Sequence, residues 1–219
     1  GGGVSPGTDG LLATDLDRTL LPNGTQPGEA DALQRFRAWA AGRAPRQLAY
    51  VTGRHHALYR EVAAEHALPT PDWLVCNVGT EIYPGGGSEP LEAWTGELTG
   101  GFDAAAARER AAGLLPDAWP QEAAKQSPLK VSFYLPGEPA DPAAEQEHLR
   151  RALKQRGLEA RVVVSFDEVA DIALVDFLAP GSGKARALAF LRRHLGLAPE
   201  QTLFAGDSGN DADALLSGV

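Results

Sequence analysis

The sequence predicts a doubly wound, mostly parallel α/β fold with a smaller α+β segment inserted into it. Two observations carry this reading. Residues 8–82 alternate short apolar runs with stretches of helical periodicity, and the same style returns over 171–219. Between them, after the Gly-rich run Pro84-Gly85-Gly86-Gly87, alternating strand-like segments and two helical stretches follow in a different order. Strands separated by helices imply right-handed crossovers and parallel pairing. Ligands of such sheets bind beyond the carboxyl ends of the strands.

Gly10 to Thr14 reads as the first strand, followed by the charged stretch Asp15-Leu16-Asp17-Arg18-Thr19. Pro27 to Ala41 reads as a helix, with proline suited to its first turn, Gly42 at its end, and Ala30, Leu33, Phe36 and Ala40 at helical spacing. Gln47 to Val51 is a second strand, Thr52-Gly53-Arg54 its turn, and Leu58, Val62 and Glu65 lie on a helix ending near His66. Trp73 to Val78 is a third strand. The Gly-rich run at 84–87 reads as a hinge into the insert, 83–170. There, Asp103 to Gly113 and Pro142 to Arg156 have helical composition, and Leu129 to Leu135 and Arg161 to Phe166 are strand-like. Ile172 to Leu178 follows as another strand. Lys184 to His194 is a helix, Thr202 to Ala205 a strand, and Gly206-Asp207-Ser208-Gly209-Asn210-Asp211 lies at its carboxyl end.

The 219 residues suffice for one core plus an insert, and 43% hydrophobic residues without a long apolar run indicate a water-soluble protein. No stretch approaches the roughly 20 apolar residues of a membrane helix, so no membrane partner is expected. A net charge of −9 argues against nucleic acid. The single cysteine, Cys76, excludes an internal disulfide, fits a reducing compartment, and makes a cytoplasmic location the expectation. Cys76, Trp73 and Trp94 read as packing residues, and His55 and His56 as surface residues, although His55 could approach an anion as a donor. Methionine is absent, Gly1-Gly2-Gly3 reads as a linker, and the chain stops abruptly at Val219. A segment of a longer protein is expected.

Four polar sites follow strands or begin a helix: Asp15 with Asp17, Thr52, Lys184, and Asp207 with Asp211. Phosphoryl transfer needs such parts. Asp15 can attack phosphorus, and Asp17 can protonate the leaving oxygen and then activate water. Asp15, Asp17 and Asp207 can hold magnesium, which favours carboxylate oxygens. Thr52 and the amides of its turn, Gly53 among them, can hold phosphate oxygens. Lys184 can neutralise phosphate charge, with Asn210 and Asp211 in support. Taken singly, each has an ordinary reading as a cap, a turn residue or a solvated lysine. All four in this order point to one site. Two competing motifs fail. Gly183-Lys184 resembles the end of a phosphate-binding loop, but Leu178 stands at its first glycine and Ala185 at its Ser/Thr. The start of a calcium loop at Asp15 fails at Leu20 and Gln26.

With these four motifs in this order, the chain resembles the haloacid dehalogenase superfamily of phosphatases. The position of the insert, between the second and third motifs, resembles the Cof-like branch. Within it the likeness is to the sucrose-phosphate phosphatase family, carried by Ala49-Tyr50-Val51-Thr52-Gly53-Arg54, Val78-Gly79-Thr80-Glu81-Ile82-Tyr83, Gln126-Ser127-Pro128-Leu129-Lys130-Val131-Ser132-Phe133 and Gln201 to Asp211. The resemblance implies a Rossmann-like catalytic core over 8–82 and 171–219, a cap over 83–170 that sets substrate specificity, Mg2+, and an aspartyl-phosphate intermediate. It also implies sugar contacts from Glu81, Gln126, Ser127 and Lys130. The implied reaction is hydrolysis of a sugar phosphate, sucrose 6-phosphate first, with a mannosyl or glucosyl conjugate as the alternative. The small-molecule substrate is the expected partner, and a monomer the expected state. A rival reading is a non-catalytic phosphatase-like module fused to or associated with a glycosyltransferase. Such modules tend to lose the carboxylates, whereas Asp15, Asp17, Asp207 and Asp211 are present here. Arg18 stands where the family often has Asn, and Ala185 where Gly is common. Family members continue beyond the fourth motif with another strand and helix.

Overall fold

A computed structural model describes residues 8–17, 20 and 29–206. Pro27, Arg18 and Thr19, and the whole stretch from Asp207 onward, including Asn210 and Asp211, lie outside the described residues. The chain divides into two compact units, one of residues 1–94 and 184–219, the other Thr95–Gly183.

The first unit is built on a five-stranded sheet. In chain order its elements are β1 (Leu11–Asp15), α1 (Glu29–Ala41), β2 (Gln47–Val51), α2 (His56–Glu65), β3 (Trp73–Cys76) and β4 (Glu81–Pro84). A helix, α3 (Glu92–Leu98), runs across the boundary between the units. β1 pairs in parallel with β2, and β2 with β3, while β4 turns back antiparallel on β3. Leu48, Ala49, Tyr50 and Val51 are all buried, as expected of a strand covered on both faces. On one face Leu48, Tyr50, Leu74 and Cys76 pack with Phe36, Trp39 and Ala40 of α1 and Tyr59 and Val62 of α2.

The second unit is a four-stranded antiparallel sheet under two helices. Its elements are α4 (Ala104–Leu114), β5 (Trp119–Pro120), β6 (Lys130–Pro136), α5 (Pro142–Gln155), β7 (Arg161–Asp167) and β8 (Ile172–Leu178). Asp103 and Asp141 cap α4 and α5 by accepting the N–H groups of Ala106 and Ala144, which satisfies donors that helix starts leave open. Val131, Phe133, Val162, Val164, Val175 and Phe177 form one apolar face against Ala107, Ala111, Leu149 and Leu153. The opposite side of β6 and β8 carries Ser132, whose hydroxyl donates to Asp176 at 2.5 Å.

The chain then returns to the first unit through α6 (Lys184–His194) and β9 (Thr202–Ala205). β9 pairs in parallel with β1, giving the order β4-β3-β2-β1-β9. Trp73 meets His194 edge-on, and buried Trp94 packs on Phe190, so both tryptophans are packing residues. Cys76 is buried in β3. Gly183, just before α6, has φ +120°, a backbone conformation that favours glycine.

The mostly parallel α/β core and its α+β insert match the sequence reading, but the boundaries of the insert move. Glu81–Pro84 belongs to the first sheet, because it hydrogen-bonds to β3. Ile172–Leu178, read as the start of the returning core, is instead the central strand of the second sheet, paired along its length with both β6 and β7. The units accordingly divide at Thr95 and Gly183, not at 83 and 170. The Gly-rich run at 84–87 is also a closed turn of the first unit. Gly85 N–H donates to Asp72 C=O at 2.6 Å and Gly87 N–H to Pro84 C=O at 3.1 Å. Among the described residues, no helix is long and apolar enough to cross a membrane.

Candidate active site

β1 lies between β2 and β9, so its carboxyl end is flanked by a strand on each side. Asp15 is its last residue, in register with Val51 of β2. Leu16 N–H continues the pairing onto Val51 C=O at 3.1 Å, which fixes where the chain leaves the sheet. The Asp15 side chain is only 14% exposed, and Lys184 Nζ, on the first residue of α6, lies 3.9 Å from its Oδ1. A largely buried carboxylate beside an ammonium is a charge pair that solvent screens less than an exposed one. Gly206, which follows β9 and opens the fourth motif, also approaches it. A Cβ on Gly206 would sit 3.2 Å from Asp15 Oδ2 and would collide with the Phe204 ring.

Asp17 has a different setting. Arg54 Nε and Nη2 both lie 3.0 Å from its Oδ1, and the Thr52 hydroxyl donates to Oδ2 at 3.2 Å. Thr52 is fully buried, and its N–H and hydroxyl are both engaged. Its N–H donates to Val75 C=O at 2.9 Å, and its Oγ1 accepts Arg54 N–H at 3.1 Å. In this arrangement the Thr52 donors serve Asp17 and β3. The Gly53 N–H, between these committed amides, has no acceptor among the described residues, and nothing lies within 4 Å of where a Gly53 side chain would be. It is the amide of this turn that is open to an anion. The sequence motif assigns Arg54 no role, and its grip on Asp17 is a long-range pairing that spacing does not reveal. His55 caps α2, its Nδ1 accepting Leu58 N–H at 3.4 Å.

Glu81 opens β4, opposite Cys76. Asn77 Nδ2 donates to its Oε1 at 3.0 Å and the Tyr83 hydroxyl to its Oε2 at 2.7 Å. Burial, and then the hydrogen bond to Glu81, pushes the Tyr83 phenol well above its ordinary range, so it remains a donor. The His56 ring stacks on Tyr83 with centroids 4.1 Å apart.

The other three expected sugar-binding residues belong to the second unit. Gln126 has both side-chain N–H groups engaged, donating to Gln121 C=O at 3.0 Å and Ser132 C=O at 2.9 Å, while its Oε1 accepts Ser132 N–H at 2.9 Å. It acts as an extra length of backbone beside β6 and has no donor left for a sugar. Ser127 Oγ accepts Leu129 N–H at 3.1 Å, and its main chain exchanges hydrogen bonds with Lys130 across a tight turn. Lys130 starts β6 and is 4% exposed.

Asp15 and Asp17 would supply two carboxylates to a metal, with Asp207, the third expected ligand, outside the described residues. Among the described residues no three ligand-type side chains converge. The donor chemistry fits magnesium, which takes one or two carboxylates and keeps several waters. The two carboxylate oxygens of Asp17 face Arg54 and Thr52, although its side chain is the more exposed of the two, at 39% against 14% for Asp15.

Comparison with known proteins bears on what these residues do. The family described as sucrose-6F-phosphate phosphohydrolase matches residues 8–219. Sucrose-phosphatase 1 of Nicotiana tabacum is 36% identical over 93% of this chain and 47% of its own length. The chain thus spans about half of that plant relative. A mannosylfructose-phosphate phosphatase of Agrobacterium fabrum is 35% identical over 92% of this chain and 76% of its own. The solved sucrose-phosphatase of Synechocystis, in complex with sucrose and phosphate, is similar with a TM-score of 0.76 and 29% identity, covering 96% of this chain and 80% of that one.

Proposed function

The chain belongs to the sucrose-6F-phosphate phosphohydrolase family, and from that premise we propose that its protein is a magnesium-dependent phosphatase of a sugar phosphate, with sucrose 6-phosphate as substrate. The observation that carries the proposal is the contrast between two neighbouring carboxylates. Asp15 faces the Lys184 ammonium at 3.9 Å. Asp17 faces a forked guanidinium and a buried hydroxyl. One carboxylate is arranged as an attacking oxygen beside a neutralising charge, the other as an oriented proton carrier.

In the first step an Asp15 oxygen attacks phosphorus, the bond from phosphorus to the sugar oxygen breaks, and Asp17 gives that oxygen its proton. In the second, Asp17 takes a proton from water as the water attacks the aspartyl phosphate. Inorganic phosphate leaves and Asp15 is regenerated, so atoms and protons balance over the cycle. Arg54 occupies Asp17 Oδ1, which leaves Oδ2, bearing the weaker Thr52 bond, as the oxygen that carries the proton. Lys184 and the Gly53 N–H meet the charge on the phosphoryl oxygens. Magnesium, held by Asp15, an oxygen of Asp17 and Asp207, would neutralise the charge of the transferring group.

The Agrobacterium relative gives a second reading, a mannosyl conjugate phosphate, its specific support being 35% identity over most of both chains. Phosphate release from a panel of sucrose, mannosylfructose, trehalose and hexose phosphates, with and without magnesium and on the full-length protein, separates the two. Sucrose 6-phosphate giving the highest kcat/KM supports the proposal. No release from any sugar phosphate with magnesium present would refute it.

A further inference from the structure

We propose that Asn77 is a positioning residue for substrate selection. Its side-chain amide fixes the Glu81 carboxylate as the acceptor of a sugar hydroxyl, and its main chain ties that carboxylate to Arg54 and so to Asp17. The inference rests on the sugar-phosphatase reading above, and it concerns a residue for which neither the motifs nor the resemblance supplied a role.

The first observation is strain. Asn77, Val78 and Gly79 follow β3 with φ of 52°, 59° and 82°. A left-handed conformation is tolerable for Asn but costly for a β-branched residue such as Val78. Four hydrogen bonds hold it. Asn77 N–H donates to Arg54 C=O at 2.7 Å, and the Thr80 N–H and hydroxyl donate to Asn77 C=O at 3.2 and 2.8 Å. The Trp94 indole N–H donates to Gly79 C=O at 3.2 Å. Strain maintained by its surroundings is characteristic of places where geometry serves function.

The second observation is an unsatisfied atom. Asn77 is 3% exposed, and its Oδ1 is buried without a donor among the described residues. A buried acceptor without a donor destabilises the fold, and a smaller side chain would remove the problem. The amide is retained where it costs stability, and its one side-chain bond is to Glu81. With the Tyr83 hydroxyl on the other oxygen, the Glu81 carboxylate has one orientation, and its remaining lone pairs can accept only from donors such as sugar hydroxyls. The path from Glu81 to the proton carrier is continuous within one unit: Glu81 to Asn77, Asn77 N–H to Arg54 C=O, and Arg54 guanidinium to Asp17.

The test compares wild type, Asn77→Gly and Asn77→Asp in the full-length protein, by thermal melting and by kinetics on sucrose 6-phosphate, mannosylfructose phosphate and 4-nitrophenyl phosphate. Glycine accepts the left-handed backbone and removes the orphan oxygen. Asn77→Gly should melt no lower than wild type and should lose roughly tenfold in kcat/KM on the preferred sugar phosphate, the size of a hydrogen bond to a charged group. The loss should fall mainly in KM, with 4-nitrophenyl phosphate unaffected. Asn77→Asp places a second carboxylate against Glu81, and its sugar-phosphate KM should improve as pH falls and the new carboxyl regains a proton to donate. A wild-type preference for sugar phosphate that Asn77→Gly retains overturns the positioning role alone, as does an equal loss on all substrates or a KM of Asn77→Asp that ignores pH. A wild type that cleaves 4-nitrophenyl phosphate without preferring any sugar phosphate overturns the sugar-phosphatase reading and the positioning role with it.

Discussion

The turns after β1 and β2 in the first unit and the turn before β6 in the second both carry the polar residues from which function is expected, yet they use them differently. In the first unit the side chains engage one another and leave particular atoms open. Thr52 and Arg54 converge on Asp17, while Asp15 faces Lys184 and the Gly53 N–H has no acceptor among the described residues. In the second unit Gln126 and Ser127 engage their own main chain, with no side-chain donor of Gln126 remaining. A polar side chain in a loop acts on a ligand only through what its neighbours leave over, and that remainder separates a reactive turn from a structural one.

The contrast can be broken by mutation, and the largest effect belongs to the first unit. Asp17→Asn removes the proton carrier and should lower kcat/KM on sugar phosphate by about 10²–10⁴-fold, the range for general acid–base catalysis. The loss should shrink on 4-nitrophenyl phosphate, whose leaving group needs no proton. An equal loss on both substrates would mean that Asp17 shapes the site and moves no proton.

Gln126→Ala should show the opposite signature. It deletes three hydrogen bonds beside β6 and leaves buried main-chain groups unpaired, so stability should fall by about 1–3 kcal/mol. Turnover of 4-nitrophenyl phosphate should hold below the melting range. A Gln126→Ala protein with unchanged melting and a raised sugar-phosphate KM would return this residue to sugar binding and erase the contrast.

The smallest expected effect lies at the edge of the second sheet. Glu122 is held at about 2, against an ordinary 4.5, first by the Tyr134 hydroxyl, then by main-chain and Lys125 hydrogen bonds. A carboxyl depressed on folding adds stability that is present above the unfolded value near 4.5 and is lost as pH falls toward 2. The pair is largely exposed, so its contribution is screened and small. Tyr134→Phe removes the leading cause, and carboxyl NMR titration should show the Glu122 midpoint moving up. A midpoint that stays near 2 would assign the depression to the main chain and Lys125 alone.

The parts of this fold and site that were legible in the sequence are those set by local pattern. Apolar runs ending in Asp15, Thr52 or Asp207 mark strand ends, and Pro142 with Gly157 brackets α5. What was not legible depends on pairing across the chain. Ile172–Leu178 alternates identically whichever sheet receives it, so its membership in the second sheet could not be read from residues 172–178 alone. Glu81–Pro84 is too short to announce itself as a strand folded back on β3. The roles of Arg54 and Asn77 follow from contacts with Asp17 and Glu81 that exist only once three strand ends meet. Gln126 sits in a stretch that resembles its family, and only its hydrogen bonds show that it is used for structure.

The central claim is that Asp15 is the attacking group. The most direct test is rapid-quench reaction of the full-length Asp17→Asn protein with phosphorus-labelled 4-nitrophenyl phosphate and magnesium. This substrate needs no acid for its first step, and the variant is slowed in its second. The account predicts a burst of nitrophenolate, label on the peptide that contains Asp15, and neither burst nor label when Asp15→Asn is added to the variant. Labelled protein that persists in Asp15→Asn, or turnover with no labelled protein at any time, would contradict it.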